Sequence, residues 1–239
     1  LAGWGSGRSL QGMNEAWNGR TLLFPSNLWT APWIFLRCAG LMIFPYPLSA
    51  DHVITPIADG LDLRWLAGFL ALGAWAAAAF RWRKTPAGAG MGWTLIAFIP
   101  VSNLLPLFNP MAERYLYLMG AGFVLCAGWL LSRLRSRTGA ALALAFLCGC
   151  MAWLDVVRLR DWKNDAALWA AARRVESRSA RACSWMGLAE KEAGRMEAAR
   201  SLFQRADELN PYDVSALVNL AVMEGEAGRY KEAERLLKE

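Results

Sequence analysis

Histidine is nearly missing from this chain of 239 residues, which holds one, His52. One imidazole cannot supply a His-based metal site or a triad base with partners elsewhere in the chain. The phosphate-cradling P-loop, the Gly-x-Ser-x-Gly elbow and the His-Glu-x-x-His zinc motif are also missing. Acids are scarce over the first two thirds. Residues 1–157 contain Glu15, Asp51, Asp59, Asp62, Glu113 and Asp155, while the other fourteen of the twenty acids follow. The five cysteines form neither a disulfide framework nor a zinc set. Cys38, Cys126, Cys148 and Cys150 lie in apolar runs, and Cys183 stands alone in the last third. Cys148 and Cys150, two apart, would point to different sides of a helix, so all five read as small apolar packing residues and no metal or cofactor is expected.

What is present is apolar. Hydrophobic residues make up 56% and charged residues 19%, with thirteen tryptophans. The net charge of +6 is distributed in a way that excludes nucleic acid as the partner. Arg81, Arg83 and Lys84 form one short cluster and Arg133, Arg135 and Arg137 another, both between apolar runs, where basic residues set membrane topology. The tail instead mixes Arg with Glu and Asp, as a solvated helical surface does.

About 20 apolar residues cross a bilayer core as a helix. Five stretches approach that length: Leu28 to Leu48, Leu63 to Phe80, Met91 to Phe108, Tyr115 to Ser132 and Thr138 to Val157. The two basic clusters put the second–third and fourth–fifth connections in the cytoplasm. The acidic connection from Ser49 to Asp62 and the tail after Val157 are then extracytoplasmic. Arg37 falls within the first stretch, where a charge is costly unless shielded. Either it snorkels to the interface beside Trp29 and Trp33, the favoured reading, or it faces an internal polar cavity.

The tail repeats itself at an offset of 34 residues. Glu190 meets Glu224, Ala193 meets Ala227, Gly194 meets Gly228, Arg195 meets Arg229 and Ala199 meets Ala233. Counted from Ala180, Gly187, Ala199, Phe203, Ala206 and Pro211 take the positions where tetratricopeptide (TPR) helix pairs need small residues, an aromatic and a terminating proline. Trp169 and Ala172 precede Phe203 and Ala206 by the same 34, which predicts a degenerate half-repeat. The expected fold is all-α: about five polytopic membrane helices and then a TPR α-solenoid. The expected domains are a membrane domain over 1–157, a connector with the half-repeat over 158–179, and repeats over 180–239. The second repeat stops mid-helix and Leu1 is no initiator Met, so a longer parent protein is expected.

The stretch IAFIPVSNLLPLFNPMAERYLYLMGAGFVL, from Ile96 to Leu125, is the most informative. Pro100, Ser102, Asn103, Pro106, Asn109 and Pro110 interrupt what would otherwise be a plain spanning helix. Such breaks survive where protein or a water-filled cavity satisfies the freed backbone groups. Glu113 and Arg114 then open the next helix, with Tyr115 and Tyr117 beside them. Arg114 offers paired donors to a phosphate and Glu113 could hold it in place, or the pair is simply a salt-bridged cap among interfacial aromatics.

These residues resemble a known family. Pro100-x-Ser102-Asn103-Leu104 with Ala112-Glu113-Arg114-Tyr115-Leu116-Tyr117-Leu118 is similar to a stretch of the transmembrane-and-TPR protein O-mannosyltransferases and their bacterial relatives. Met119 stands where the family often has Pro, while Gly120 and Gly122 remain. Tyr46-Pro47-Leu48-Ser49-x-Asp51-His52 is a looser match, and Trp162 before the repeats a third. The match runs from about Leu22 onward. The resemblance implies the late half of a membrane glycosyltransferase of the GT-C type, in a bacterial inner membrane. Such an enzyme moves a sugar from a polyprenyl-phosphate carrier to a protein Ser or Thr hydroxyl on the extracytoplasmic face, with the TPRs engaging the acceptor. The family's catalytic acids belong to an early outer loop with no counterpart here, so no catalytic residue is assigned. Arg114 and Glu113 are the candidates for the carrier side of the site, with Asn103, Tyr117, Asp51 and His52 as outer members. The alternative is a non-catalytic membrane-anchored TPR scaffold for envelope assembly. A surface-polysaccharide polymerase or ligase using the same carrier is a third reading.

Overall fold

The computed structural model describes residues 26–105, 107, 109–211 and 214–238. The start of the expected membrane domain (residues 1–25, including Leu22), Pro106, Phe108 and the terminal Glu239 lie outside the described residues. The described chain is all-helical, with no strand among those residues. Its α-helices are α1 (Ser26–Ile43), α2 (Leu63–Arg81), α3 (Pro86–Phe98), α4 (Leu116–Ser132), α5 (Arg137–Leu159), α6 (Asp165–Val175), α7 (Ala180–Glu192), α8 (Met196–Leu209), α9 (Val214–Glu226) and α10 (Tyr230–Leu236). Two compact units form. One contains 22–48 and 54–160, and the other contains 49–53 and 161–239.

The first unit holds α1 to α5. Among the described residues, three of its segments are long and apolar enough to cross a membrane: Leu63–Arg81, Glu113–Ser132 and Arg137–Leu159. This corrects the expectation of five. The first expected span stops at Ile43, ahead of Pro45 and Pro47, so α1 is shorter than its apolar stretch and carries Arg37, which is partly buried. The third expected span begins earlier, at Pro86, where Thr85 caps the helix by accepting from the Gly88 amide at 3.3 Å. It ends earlier too. Phe98 runs into a 3-10 turn, Ile99–Val101, because Pro100 has no amide to continue the ladder.

Capping side chains set the other boundaries of this unit. Asp62 accepts from the Arg64 amide at the start of α2, and Ser136 from the Gly139 amide at the start of α5. Phe35 of α1 forms the centre of the core, edge-on to Phe98 at 5.2 Å and to Trp75 at 6.1 Å, with Ile34, Cys38, Met111 and Met119 around it. Two helix crossings are close enough to demand glycine. A Cβ on Gly68 would lie 2.3 Å from the Pro32 carbonyl carbon, and one on Gly122 would lie 2.3 Å from the Gly90 carbonyl oxygen. Thr94 and Trp93 tie α3 to α4 at the second crossing, donating to the carbonyls of Met119 and Leu118. Helix α5 has no buried residue within the chain, as a helix surrounded by lipid would.

The second unit is a stack of antiparallel helices, α6 to α10. Ser179 caps α7 and Asn164 caps α6. The hairpins α7–α8 and α9–α10 are copies of each other at the 34-residue offset. Both turns place glycine at φ +76°, Gly194 and Gly228. In both, the residue after the glycine donates to a carbonyl five residues back, Arg195 to Glu190 at 2.9 Å and Arg229 to Glu224 at 2.8 Å. That is a helix-terminating turn in which the left-handed position favours glycine. The same side chains pair as well, Arg195 with Glu190 and Arg229 with Glu224. Phe203 fills the space that Gly187 leaves: a Cβ on that glycine would sit 2.8 Å from the ring. Trp169 of α6 stacks flat on Trp185 of α7 at 5.7 Å, so the residues expected to form a half-repeat do pack on the first hairpin.

Candidate functional site

The broken stretch between α3 and α4 folds into a corner held by its own polar side chains. Ser102 donates through its hydroxyl to the Ile99 carbonyl at 2.7 Å and accepts from the Leu104 amide at 3.3 Å. Asn103 adopts φ +62°, a left-handed conformation that Asn tolerates better than most residues. Its side-chain amide donates to the Pro110 carbonyl at 2.6 Å and the Val101 carbonyl at 3.3 Å, closing the loop on itself. Its buried Oδ1 accepts from no described residue. Asn27 at the start of α1 donates to the Leu104 carbonyl at 2.9 Å, and the Tyr115 hydroxyl donates to the Asn109 carbonyl at 3.0 Å. Backbone groups freed by the prolines are thereby satisfied without a regular helix.

A short 3-10 turn, Glu113–Tyr115, leads out of this corner into α4. The two charges in it go different ways. Glu113 faces Arg158 near the end of α5, with Oε2 3.6 Å from the guanidinium nitrogen. Glu113 was expected to hold Arg114, and it is Arg158 that it pairs with. Arg114 is exposed, makes no ion pair among the described residues, and lies 5.3 Å over the ring of Tyr115. A guanidinium stacked on a ring keeps its in-plane N–H donors open, which is the arrangement that suits an oxyanion. Tyr117, 85% exposed, points away from the protein, and so do Leu105, Ile99 and Leu118. The corner thus combines an available cation, a fixed polar loop and an apolar outer surface.

Asp51 and His52 are found in the other unit, so the six candidates do not assemble within a single unit. Ser179 donates its hydroxyl to Asp51 Oδ2 at 2.6 Å, and Arg181 lies 3.5 Å from Oδ1. His52 is buried with Nδ1 3.9 Å from Glu176 Oε1. Ser49 folds the segment by donating to the Asp51 carbonyl at 2.8 Å. Asp51 therefore accepts from the hydroxyl that caps α7 and balances a cation on the same helix. No group of three or more His, Cys, Asp or Glu side chains among the described residues could hold a metal ion.

Sequence reasoning missed four partners: Arg158, Asn27, Ser179 and Arg181. Arg158 stands 45 positions after Glu113 and counts in the sequence only as one more charge near a membrane boundary. Asn27 carried a usable signal, since a buried amide at a helix start needs a specific acceptor.

No family model matches the chain, and no solved structure matches it. Curated proteins do. Protein O-mannosyl-transferase Tmtc3 of Drosophila melanogaster is 28% identical over 214 residues, which is 85% of this chain and 23% of that protein. Protein O-mannosyl-transferase Tmtc2 of the same organism is 32% identical over 127 residues, covering 51% of this chain and 13% of the relative. The human protein O-mannosyl-transferase TMTC3 is 29% identical over 147 residues, 58% of this chain and 16% of its own length. The chain thus spans about a quarter or less of the length of these relatives. All three are animal proteins, and nothing in them supports the bacterial origin that the resemblance suggested. Over most of its length the chain is TMTC-like, similar in sequence to protein O-mannosyl-transferases.

Proposed function

We propose that this chain is part of a membrane glycosyltransferase that moves a sugar from a polyprenyl-phosphate carrier to a protein Ser or Thr hydroxyl on the extracytoplasmic face. Its main support is the similarity to Drosophila Tmtc3, which extends over 85% of the chain. The corner at 99–118 adds chemistry that fits. Arg114 supplies in-plane donors to the carrier phosphate while Tyr115 holds the guanidinium from beneath. The exposed Ile99, Leu105, Tyr117 and Leu118 give the apolar carrier chain a surface to lie against. Glu113 and Arg158 act as a clamp between α4 and α5 that positions the turn carrying Arg114. The helix pairs of the other unit form TPR repeats that engage the acceptor protein. Asp51 and His52 brace that unit.

Replacing Arg114 by Ala in the full-length protein tests the site. Loss of a charge-assisted contact of about 1.5–3 kcal/mol corresponds to roughly a 10- to 100-fold weaker interaction. The expected result is therefore a KM for the polyprenyl-phosphate sugar raised by that order. Unchanged KM and turnover would remove Arg114 from the site. A wild-type full-length protein that binds donor but transfers no sugar to any acceptor would favour the scaffold reading.

A further inference from the structure

The opposite edge of the helical unit from the corner just described, in chain terms the ends of α2 and α4, carries a second group of cations. Arg81, Arg83 and Lys84 follow α2, and Arg133 and Arg135 follow α4. All are exposed. No acid occurs between Asp62 and Glu113, or between Glu113 and Asp155, and none of these five cations makes an ion pair among the described residues. The fold brings the two clusters together through their tryptophans. Trp82 lies 6.1 Å from Trp129, and the guanidinium of Arg133 covers the Trp129 ring at 4.7 Å. Arg83 stacks on Phe80 at 4.4 Å and donates to the Phe80 carbonyl at 3.2 Å. Thr85 locks the turn by donating to the Trp82 carbonyl at 2.8 Å, and Gly88 passes so close to that carbonyl that a Cβ would lie 2.1 Å from it.

We infer that Arg83, Lys84, Arg133 and Arg135, arranged around Trp82 and Trp129, form a binding edge for the headgroup of an anionic phospholipid. Both α2 and the segment Glu113–Ser132 have membrane-crossing length and composition, so cations at their ends lie at headgroup depth. Positive charge alone would do no more than orient the helices. Three further features point to a ligand. Arg83 and Arg133 rest on rings and, for Arg83, a backbone carbonyl, not on carboxylates, which leaves most of their N–H donors open to a phosphodiester. The tryptophans give the adjoining glycerol and acyl carbonyl region an amphipathic wall. The turn that carries them is held rigid by Thr85 and Gly88, so the donors are pre-positioned.

The full-length protein, purified and reconstituted in nanodiscs of phosphatidylcholine with or without phosphatidylglycerol, tests this. Wild type is expected to unfold at a higher temperature with phosphatidylglycerol and to retain that lipid through delipidation, read by mass spectrometry of the complex. Each surface cation contributes about 1 kcal/mol towards anionic lipid, or about fivefold in affinity. The triple variant R83Q/R133Q/R135Q should therefore lose roughly a hundredfold in apparent affinity for phosphatidylglycerol. The triple variant K163Q/R178Q/K231Q, which removes equal charge from exposed sites in the other unit, should bind as wild type does. Equal losses in the two variants would assign the effect to net charge and overturn the proposal. So would a wild type that phosphatidylglycerol does not stabilise, a result that stands even if the first variant fails to fold. Displacement of the lipid by soluble glycerol phosphate would identify a free-phosphate site and would also overturn it.

Discussion

Glu224 is the carboxylate whose surroundings dictate its behaviour most clearly. It is buried within α9, and both Arg229 and Arg200 close on it. The hydrogen bond from Arg229, with Arg200 adding to it against the opposing effect of burial, holds its carboxyl below the ordinary glutamate value. A carboxyl held low in the folded chain binds fewer protons there than in the unfolded chain. Its stabilising contribution is therefore complete above the ordinary carboxylate range and is lost as pH falls through the depressed folded value. Glu224→Gln should lower the thermal midpoint of the repeat unit at neutral pH by roughly 3–8 °C, with Arg200 left beside a neutral partner. It should also flatten the decline in midpoint as the pH is taken from about 5 down below the ordinary carboxylate value of about 4.3. Circular dichroism melts of wild type and variant across that range decide it, and parallel curves would sink the idea. Its 34-residue counterpart Glu190 has a carboxyl lowered by Arg195, yet it is more exposed and has one cation instead of two, so the same substitution there should matter less.

At the scale of elements, α3 and α4 cross in close contact. Gly122 meets the Gly90 carbonyl oxygen and the Thr94 hydroxyl, so an added Cβ would lie 2.3 and 2.5 Å from them. Backbone cannot yield as a side-chain tip can, and Gly122→Ala should cost about 1–3 kcal/mol by forcing the helices apart. Gly128, two turns further along α4, has nothing within 4 Å of where its Cβ would be. Gly128→Ala should be neutral or slightly stabilising through helix propensity. Thermal unfolding of both variants in one detergent compares them directly, and an equal response would mean that the crossing is not what Gly122 serves. This pair also marks what was readable in the sequence. Gly120 and Gly122 stood out next to the Glu113-Arg114 motif, but which of them faces a partner depends on a crossing that no single helix encodes. The repeat hairpins were legible down to Gly194 and Gly228, because each turn's chemistry is local and is written twice. Helix ends are legible where a cap or proline announces them, and the early start of α3 is announced by Thr85 as cap with Pro86 at the first helical position, where apolar content alone points to Met91. The Glu113–Arg158 pairing was not legible at all. It joins residues on different helices, and ion-pair partners at that separation are set by packing alone.

At the scale of the whole molecule, membrane topology follows from counting crossings. The unit formed by 49–53 and 161–239 includes a hydrogen bond from Ser179 to Asp51, so those segments share one side of the bilayer. Between Val53 and Asp161 the chain must therefore cross an even number of times. Three long apolar helices alone would make the number odd. A crossing by the short apolar segment Pro86–Val101, whose 16 residues extend about 24 Å, would make the count even. On an even count, the basic turns at Arg83 and Arg135 share one side of the bilayer. The excess of positive charge at those turns predicts a cytoplasmic side for them and an extracytoplasmic side for the repeats. Ser201 is exposed on α8 and reports the side directly. In a full-length protein with its native cysteines replaced, Ser201→Cys should react with a membrane-impermeant maleimide added to the extracytoplasmic face of sealed membranes. Arg135→Cys should react only after permeabilisation. Labelling of both positions from one side would mean that Arg137–Leu159, the candidate span between them, does not cross. Labelling of the two in the reverse order would invert the orientation and remove the extracytoplasmic carrier site proposed above.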